Sequence, residues 1–284
     1  MTNSASPLPF RRVGIVGLGL VGGSIARGLS ALGSPPEILA SATDEGELER
    51  ALAEGVVQRP STPERIAATA DLVVYATTPR ATLGYLETHG DLWRRHAVVT
   101  DVGGAKRALV RRARELGLRE RYVGADPVVH DPARGYDAAR ADLFGGTRVW
   151  ITPVDEREGT PAQAVESLWR ALGAQPMRVD AERHDRLVAW TAYLPRLAAT
   201  ALGAALAASG FDADALEGAA RAATEQAGGS AASWEEILAS SGDLLEDPLM
   251  ALEGSLGQLL DAVRARDLQA IARLLDGAGE WRRP

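Results

Sequence analysis

Short apolar runs alternate with stretches whose apolar side chains recur at three and four residue spacing, across roughly the first 150 positions. The runs are Val13 to Val16, Ile38 to Thr43, Asp71 to Thr77, Ala97 to Val102, Arg121 to Ala125 and Thr147 to Thr152. Each is continuous rather than alternating, as expected of a parallel strand covered on both faces. Between them, Glu45 to Glu54, Pro79 to Leu92 and Lys106 to Leu116 carry helical spacing, and Pro79 suits a first helical turn. Strand and helix in alternation predict an α/β domain built on a doubly wound parallel sheet. From about Thr160 the pattern becomes helical, with only Gln175 to Asp180 reading as a strand. Ala181 to Ala208 carries a stripe at Leu187, Trp190, Leu194, Leu197, Ala201 and Ala205, interrupted by Pro195, where a kink is expected. The stripe and its spacing assign Trp190, like Trp169, to core packing. Leu252, Leu256, Leu259, Leu260, Val263, Ile271 and Leu274 continue the helical character to the C-terminal end.

The first strand runs directly into Gly17-Leu18-Gly19-Leu20-Val21-Gly22, and a helical pattern follows. Gly17 permits the tight turn, Gly19 lets backbone N–H groups approach a pyrophosphate, and Gly22 lets the helix pack closely on the strand. Asp44 closes the second strand at the distance where a carboxylate accepts hydrogen bonds from a ribose diol. No basic residue follows Asp44 immediately, which favours NAD over NADP. The expected layout is therefore a Rossmann-type NAD-binding domain over residues 1–155 and an all-helical substrate and dimerisation domain over 156–284. Thr77, Thr78 and Pro79, at the carboxyl end of a strand, are expected to line the dinucleotide.

Composition narrows the class. The net charge is -7 and the arginines are scattered, so nucleic acid is not an expected partner. With no cysteine there is neither a disulfide framework nor a thiolate nucleophile, and four histidines (His89, His96, His130, His184) leave a metal site unexpected. No 18-residue apolar run and no leader-like N-terminus occur, so a cytoplasmic protein with no membrane partner is expected. The apolar area of the helical half points to a homodimer through that half.

Several segments beyond the glycine loop are narrower in their implications. These are Asp101-Val-Gly-Gly-Ala-Lys106, Pro127 through Gly135-Tyr136, Ala141-Asp-Leu-Phe144, Ile151-Thr-Pro153, and His184-Asp185 ahead of Tyr193-Leu-Pro195. In this order they resemble the prephenate and arogenate dehydrogenase family over nearly the whole chain. The resemblance implies oxidative decarboxylation of prephenate with NAD, in tyrosine biosynthesis, with Asp101 and Gly103 beside the cofactor. It also implies a serine at Gly104, a catalytic histidine at Asp126, and a Ser-His-Leu-Pro-His segment where this chain has Ala192-Tyr193-Leu194-Pro195-Arg196. On this reading the imidazoles expected near the substrate are gone. Arg221 and Thr224 match the family's carboxylate-binding segment, while Glu225 departs from it.

The chemistry requires an acceptor for the substrate hydroxyl, cations for two carboxylates, and close positioning at the nicotinamide. Asp126 is the candidate acceptor, with His130 the only imidazole in its loop. Lys106, the only lysine among the 31 basic side chains, is expected either to touch substrate or cofactor or to brace the Asp101 loop. Arg196 could grip a carboxylate through its bidentate fork, with Gly104 and Arg221 as further substrate contacts. His184-Asp185 reads mainly as a helix start, with Asp185 complementing the dipole. Arogenate or a less acidic or amino-bearing relative remains an alternative substrate, and so does an NAD-binding protein without turnover.

Overall fold

The computed structural model describes residues 8–129, 131, 133–155, 160–210, 218–228, 230–281 and 283. Eight strands form one sheet: β1 (Arg12–Val16), β2 (Glu37–Ser41), β3 (Arg59–Pro60), β4 (Leu72–Tyr75), β5 (Val98–Asp101), β6 (Tyr122–Pro127), β7 (Arg148–Pro153) and β8 (Gln175–Arg178). Their spatial order is β3-β2-β1-β4-β5-β6-β7-β8. β1 sits between β2 and β4, so the connections leave it in opposite directions and open a crevice at the strands' carboxyl ends. Helices α1 (Leu20–Ser30), α2 (Glu45–Ala53), α3 (Pro63–Thr69), α4 (Pro79–His89), α5 (Arg107–Glu115) and α6 (Thr160–Ala171) accompany the sheet.

Successive side chains of a strand point to opposite faces, and the core divides accordingly. Leu72 and Val74 join Ile15, Ile25, Leu29 and Trp169 in one buried cluster, whereas Val73 and Tyr75 join Ile66, Leu109, Val110 and Tyr122 in another. Each fully buried large apolar side chain contributes about 1.5–3 kcal/mol of transfer free energy, which is why these strands are apolar throughout. Trp169 is fully buried, as the stripe predicts. Trp190 is not: it is 46% exposed, which corrects its assignment to core packing.

Three features depart from the sequence-based expectation. β7 pairs antiparallel to β6, so the sheet is mostly rather than wholly parallel. β3 is two residues long and α3 seven, both too short for a periodic signal to announce. The chain divides into compact units at Asp185 rather than at 155: the first is Met1–Asp185 with Glu235–Ser240, the second Arg186–Trp234 with Ser241–Pro284. The reason is that β8 pairs in parallel with β7 and α6 packs over β5, β6 and β7, so both complete the first unit's sheet.

Beyond it, α7 (Ala181–Val188) passes into a π-helical segment (Ala189–Tyr193) and then α8 (Leu194–Ala208). The Leu194 N–H donates to the Ala189 carbonyl, five residues back. Pro195, which has no N–H to give, is absorbed by this widened turn at the head of α8. Then come α9 (Gly218–Thr224), α10 (Ala231–Ser241), α11 (Glu246–Ala265) and α12 (Leu268–Trp281). Among the described residues no helix is long and apolar enough to cross a membrane.

The turn between β1 and α1 is fixed by close packing. A Cβ on Gly22 would stand 2.0 Å from the Gly17 carbonyl oxygen, and one on Gly17 would meet the Ala76 oxygen at 2.4 Å. Gly17 also has φ +98°, a region other residues enter only with strain. Gly22→Val is therefore expected to destabilise the first unit by at least 1–3 kcal/mol, roughly the cost of overpacking, read as a lower denaturant midpoint.

Candidate functional site

The carboxyl ends of the parallel strands carry the candidate residues of the first unit on one rim of the sheet. On leaving β1 the chain turns at Gly17, whose N–H donates to the Ser41 carbonyl at 2.8 Å, and enters α1 at Gly19. No side chain caps α1, and a Cβ built on Gly19 meets no atom within 4 Å. Gly17 and Gly22 are thus demanded by the chain's own packing. Gly19 instead faces open space, with the free first-turn N–H groups of α1 beside it: this cradle fits a dinucleotide's pyrophosphate. Leu20 and Val21 form that first turn, while Leu18 is buried in the core.

Asp44 stands beyond β2 as the N-cap of α2, accepting from the Gly46 N–H at 2.8 Å, and its side chain remains exposed. Beyond β4, Thr77 Oγ1 lies 3.1 Å from Thr82 Oγ1, and Thr78 caps α4 ahead of Pro79. These placements agree with a rim that borders a dinucleotide.

A buried polar network occupies the end of β5. Lys106 and Asp101 form an ion pair in which neither side chain has any exposed surface. Asp101 also accepts from the Tyr122 hydroxyl at 2.8 Å and from the Gly103 N–H at 2.9 Å. Burial, with the Asp101 charge beside it, pushes the Tyr122 phenol well above its ordinary value, so it stays a neutral donor. Of the roles open to Lys106, this geometry selects the brace of the loop and corrects direct contact with a ligand. The same holds for Asp101, whose carboxylate is consumed inside the protein, while Gly103 and Gly104 are half-buried on the loop they shape.

Asp185, at 1% side-chain exposure, completes the loop from the other side. It accepts from the Lys106 N–H at 2.8 Å and the Arg107 N–H at 3.0 Å, an anion seated on the first turn of α5. Its Oδ1 also lies 2.8 Å from His184 Nδ1, and His184 Nε2 lies 3.1 Å from Asp126 Oδ2. His184 is thus clamped, fully buried, between two carboxylates. Burial pulls its pKa down, yet the hydrogen bonds to Asp126 and Asp185 outweigh burial and the opposing Lys106 charge, holding it above its ordinary value. The imidazolium, with both nitrogens donating, satisfies both bonds.

Sequence reading missed this link. The sequence reads His184-Asp185 mainly as a helix start, with orientation of the substrate loop as a secondary role, and counts the expected imidazoles as gone; the structure places one directly behind Asp126. Asp126 itself, at 16% side-chain exposure, is the carboxylate of this network that meets solvent, where Asp101 and Asp185 stand at 0% and 1%. His130 lies outside the described residues. Arg196 and Arg221 belong to the second unit, where the Arg196 guanidinium sits 5.2 Å from the Trp234 ring centroid and Arg221 is exposed. Their carboxylate-binding roles rest on the resemblance alone.

Comparison with known proteins agrees with this geometry. The family model described as "Prephenate dehydrogenase, nucleotide-binding domain" matches residues 25–178. A Streptomyces niveus protein named "Probable prephenate dehydrogenase NovF" is 30% identical over 258 residues, covering 90% of this chain and 69% of that protein. A cyclohexadienyl dehydrogenase of Zymomonas mobilis is 26% identical over 271 residues, covering 91% and 90%. The crystal structure of prephenate dehydrogenase from A. aeolicus, in complex with hydroxyphenyl propionate and NAD+, shares the fold. It superposes with a TM-score of 0.86 at 22% identity, covering 97% of this chain and 98% of that one.

Two predictions follow from the network. Lys106→Met strands the buried Asp101 charge and is expected to cost about 3–5 kcal/mol in chemical denaturation, with partial recovery when Asp101→Asn is added. His184, with its folded-state pKa raised, adds stability that is full below about pH 6.5 and is lost as pH climbs through the raised value. A melting-temperature profile should therefore lose its alkaline-side decline in His184→Gln relative to the parent; identical profiles would contradict the imidazolium.

Proposed function

Because the chain belongs to the prephenate dehydrogenase family, we propose that it catalyses NAD-dependent oxidative decarboxylation of a prephenate-type cyclohexadiene. In that reaction hydride leaves the ring carbon bearing the hydroxyl, the ring carboxylate departs as carbon dioxide, and the ring becomes aromatic. Aromatisation supplies the driving force, so the protein's part is chiefly positioning and polarisation. The observation that carries this reading is the common rim: the glycine cradle after β1 and Asp126 near the end of β6 lie at the carboxyl ends of strands in one sheet.

The N–H groups from Gly17 to Gly22 would hold the pyrophosphate, Asp44 the adenosine ribose, and Thr77, Thr78 and Pro79 the rim beyond β4. When bound, NAD supplies the hydride acceptor. Asp126 accepts a hydrogen bond from the substrate's ring hydroxyl through Oδ1, which has no hydrogen-bond donor among the described residues. His184 fixes the other oxygen and keeps the carboxylate aimed. Lys106 and Asp185 hold the loop that supports them. Arogenate, which differs in the side chain rather than the ring, suits the same arrangement.

The partners proposed with this reading are the small-molecule substrate and a second copy of the chain, and the location is the cytoplasm. Dimerisation is supported by the apolar surface of the second unit, where Leu256, Val263, Leu268 and Leu275 are each more than half exposed. Sedimentation at micromolar concentration is expected to give a species of twice the chain mass.

Incubation with prephenate or arogenate and NAD+ is expected to yield NADH and carbon dioxide in equal amounts. Asp126→Asn should lower kcat with prephenate about 10²–10³-fold, the range for loss of one preorganised polarising partner, with NAD+ affinity unchanged by calorimetry. NAD+ binding without turnover of any cyclohexadiene would instead indicate a binding protein.

A further inference from the structure

We propose that this site prefers a cyclohexadiene carrying an ammonium group, in place of the hydroxyl, on the ring carbon that gives up hydride. The inference rests on the proposed oxidative decarboxylation and names the substrate class of that same site.

The first argument is charge. Within the buried network three carboxylates (Asp101, Asp126, Asp185) face two cations, Lys106 and the His184 imidazolium. Arg107 lies 3.7 Å from Asp185 and 3.6 Å from Glu182 at the partly exposed edge of the network. The charges of Asp101 and Asp185 are sealed at 0% and 1% exposure. The surplus surfaces at Asp126, whose Oδ2 is held by His184 and whose Oδ1 has no hydrogen-bond donor among the described residues. A hydroxyl offers that oxygen a dipole; an ammonium offers it a compensating charge, and charge-assisted hydrogen bonds are roughly twice as strong as neutral ones.

The second argument is proton balance. Oxidation of the hydroxylated ring needs only polarisation: the O–H proton stays on the product phenol. The amine differs, because an ammonium nitrogen has no lone pair to support the departing hydride and must first lose a proton. That proton passes from nitrogen to Asp126 Oδ1 and on to solvent. The C–H electron pair then leaves as hydride to NAD+, and the C–C pair to the ring carboxylate closes the aromatic system as carbon dioxide departs. The products are an arylamine, carbon dioxide, NADH and one proton. An alkylammonium is a far stronger acid than an aliphatic hydroxyl, so a carboxylate can take its proton where it could only polarise the hydroxyl.

The test compares prephenate with its analogue bearing an amino group at the ring hydroxyl position. Steady-state kinetics with NAD+ are run on the parent, Asp126→Asn and Asp126→His, alongside calorimetric titration of each compound into the enzyme–NADH complex, where no turnover occurs. The expected result is at least a tenfold preference of the parent for the amine in kcat/KM, about 1.4 kcal/mol. Tighter calorimetric binding of the amine should accompany it. Asp126→Asn should erase both preferences, and Asp126→His should shift kcat/KM toward prephenate, with melting temperatures confirming that each variant is folded. Preferential turnover of prephenate by the parent overturns this inference and leaves the proposed reaction standing. An amine preference that survives in folded Asp126→Asn also overturns it. Turnover of neither compound, despite NAD+ binding, overturns the proposed reaction itself.

Discussion

The seat of Asp185 on the first turn of α5 is the interaction from which the rest of the site follows. A carboxylate at 1% exposure persists only with partners, and Asp185 takes the Lys106 and Arg107 N–H groups together with the His184 ring. Through the backbone bonds it docks the head of α7 against the head of α5, closing a separation of 79 positions in sequence. With the helix start fixed, Lys106 points inward to Asp101 and the loop after β5 has one shape. Through the ring bond it fixes His184, and His184 fixes Asp126. Loop, brace and the Asp126 carboxylate are therefore one cooperative unit, in which loss of one member leaves a buried polar group unpaired.

The glycine turn illustrates a different constraint, because its three glycines answer to different demands. Gly17 and Gly22 are excluded from bearing a side chain by the protein's own atoms, at 2.4 and 2.0 Å. The next residue, Gly23, is likewise crowded: a Cβ there would stand 2.8 Å from Ala139 Cβ and from Tyr136 Cδ2, where the chain after β6 folds back over α1. Tyr136 is in turn held by Glu47 and Glu54 of the neighbouring segment, at 2.9 Å each. Only Gly19 opens outward. Packing thus explains why the turn is rigid, and the vacancy of one position explains why a rigid turn there can receive a ligand.

What was legible in the sequence divides along physical lines. Continuous apolar runs gave the strands covered on both faces, and the order strand, glycine turn, helix and acid gave the cofactor rim, because those signals are local. The direction of β7 was not legible: the run around Val149 and Ile151 is apolar whichever way it runs, and its antiparallel pairing is set by the connection from β6. Nor was the unit boundary, since β8 is stabilised by its pairing with β7 rather than by its own composition, which includes Gln175 and Arg178. The rarity of lysine singled out Lys106, yet rarity cannot say whether a cation points in or out. The bond between His184 and Asp126 spans 58 positions and joins a strand to a helix. The available signal was the pair His184-Asp185 read together with an acidic residue in place of an imidazole.

That last pairing changes what the acidic substitution means. Taken alone, Asp126 removes an imidazole from the place where the family resemblance implies one. Taken with His184, it moves the positive charge one step deeper, because a ring facing two carboxylates retains the proton that a ring facing one of them could give up. The surface-facing group becomes a carboxylate in place of the imidazole the family resemblance implies. An imidazole at 126 would leave His184 with only Asp185 to hold its charge, and two adjacent rings would compete for one proton. The carboxylate and the buried imidazolium are thus mutually dependent, each holding the other in place at the network's outer edge.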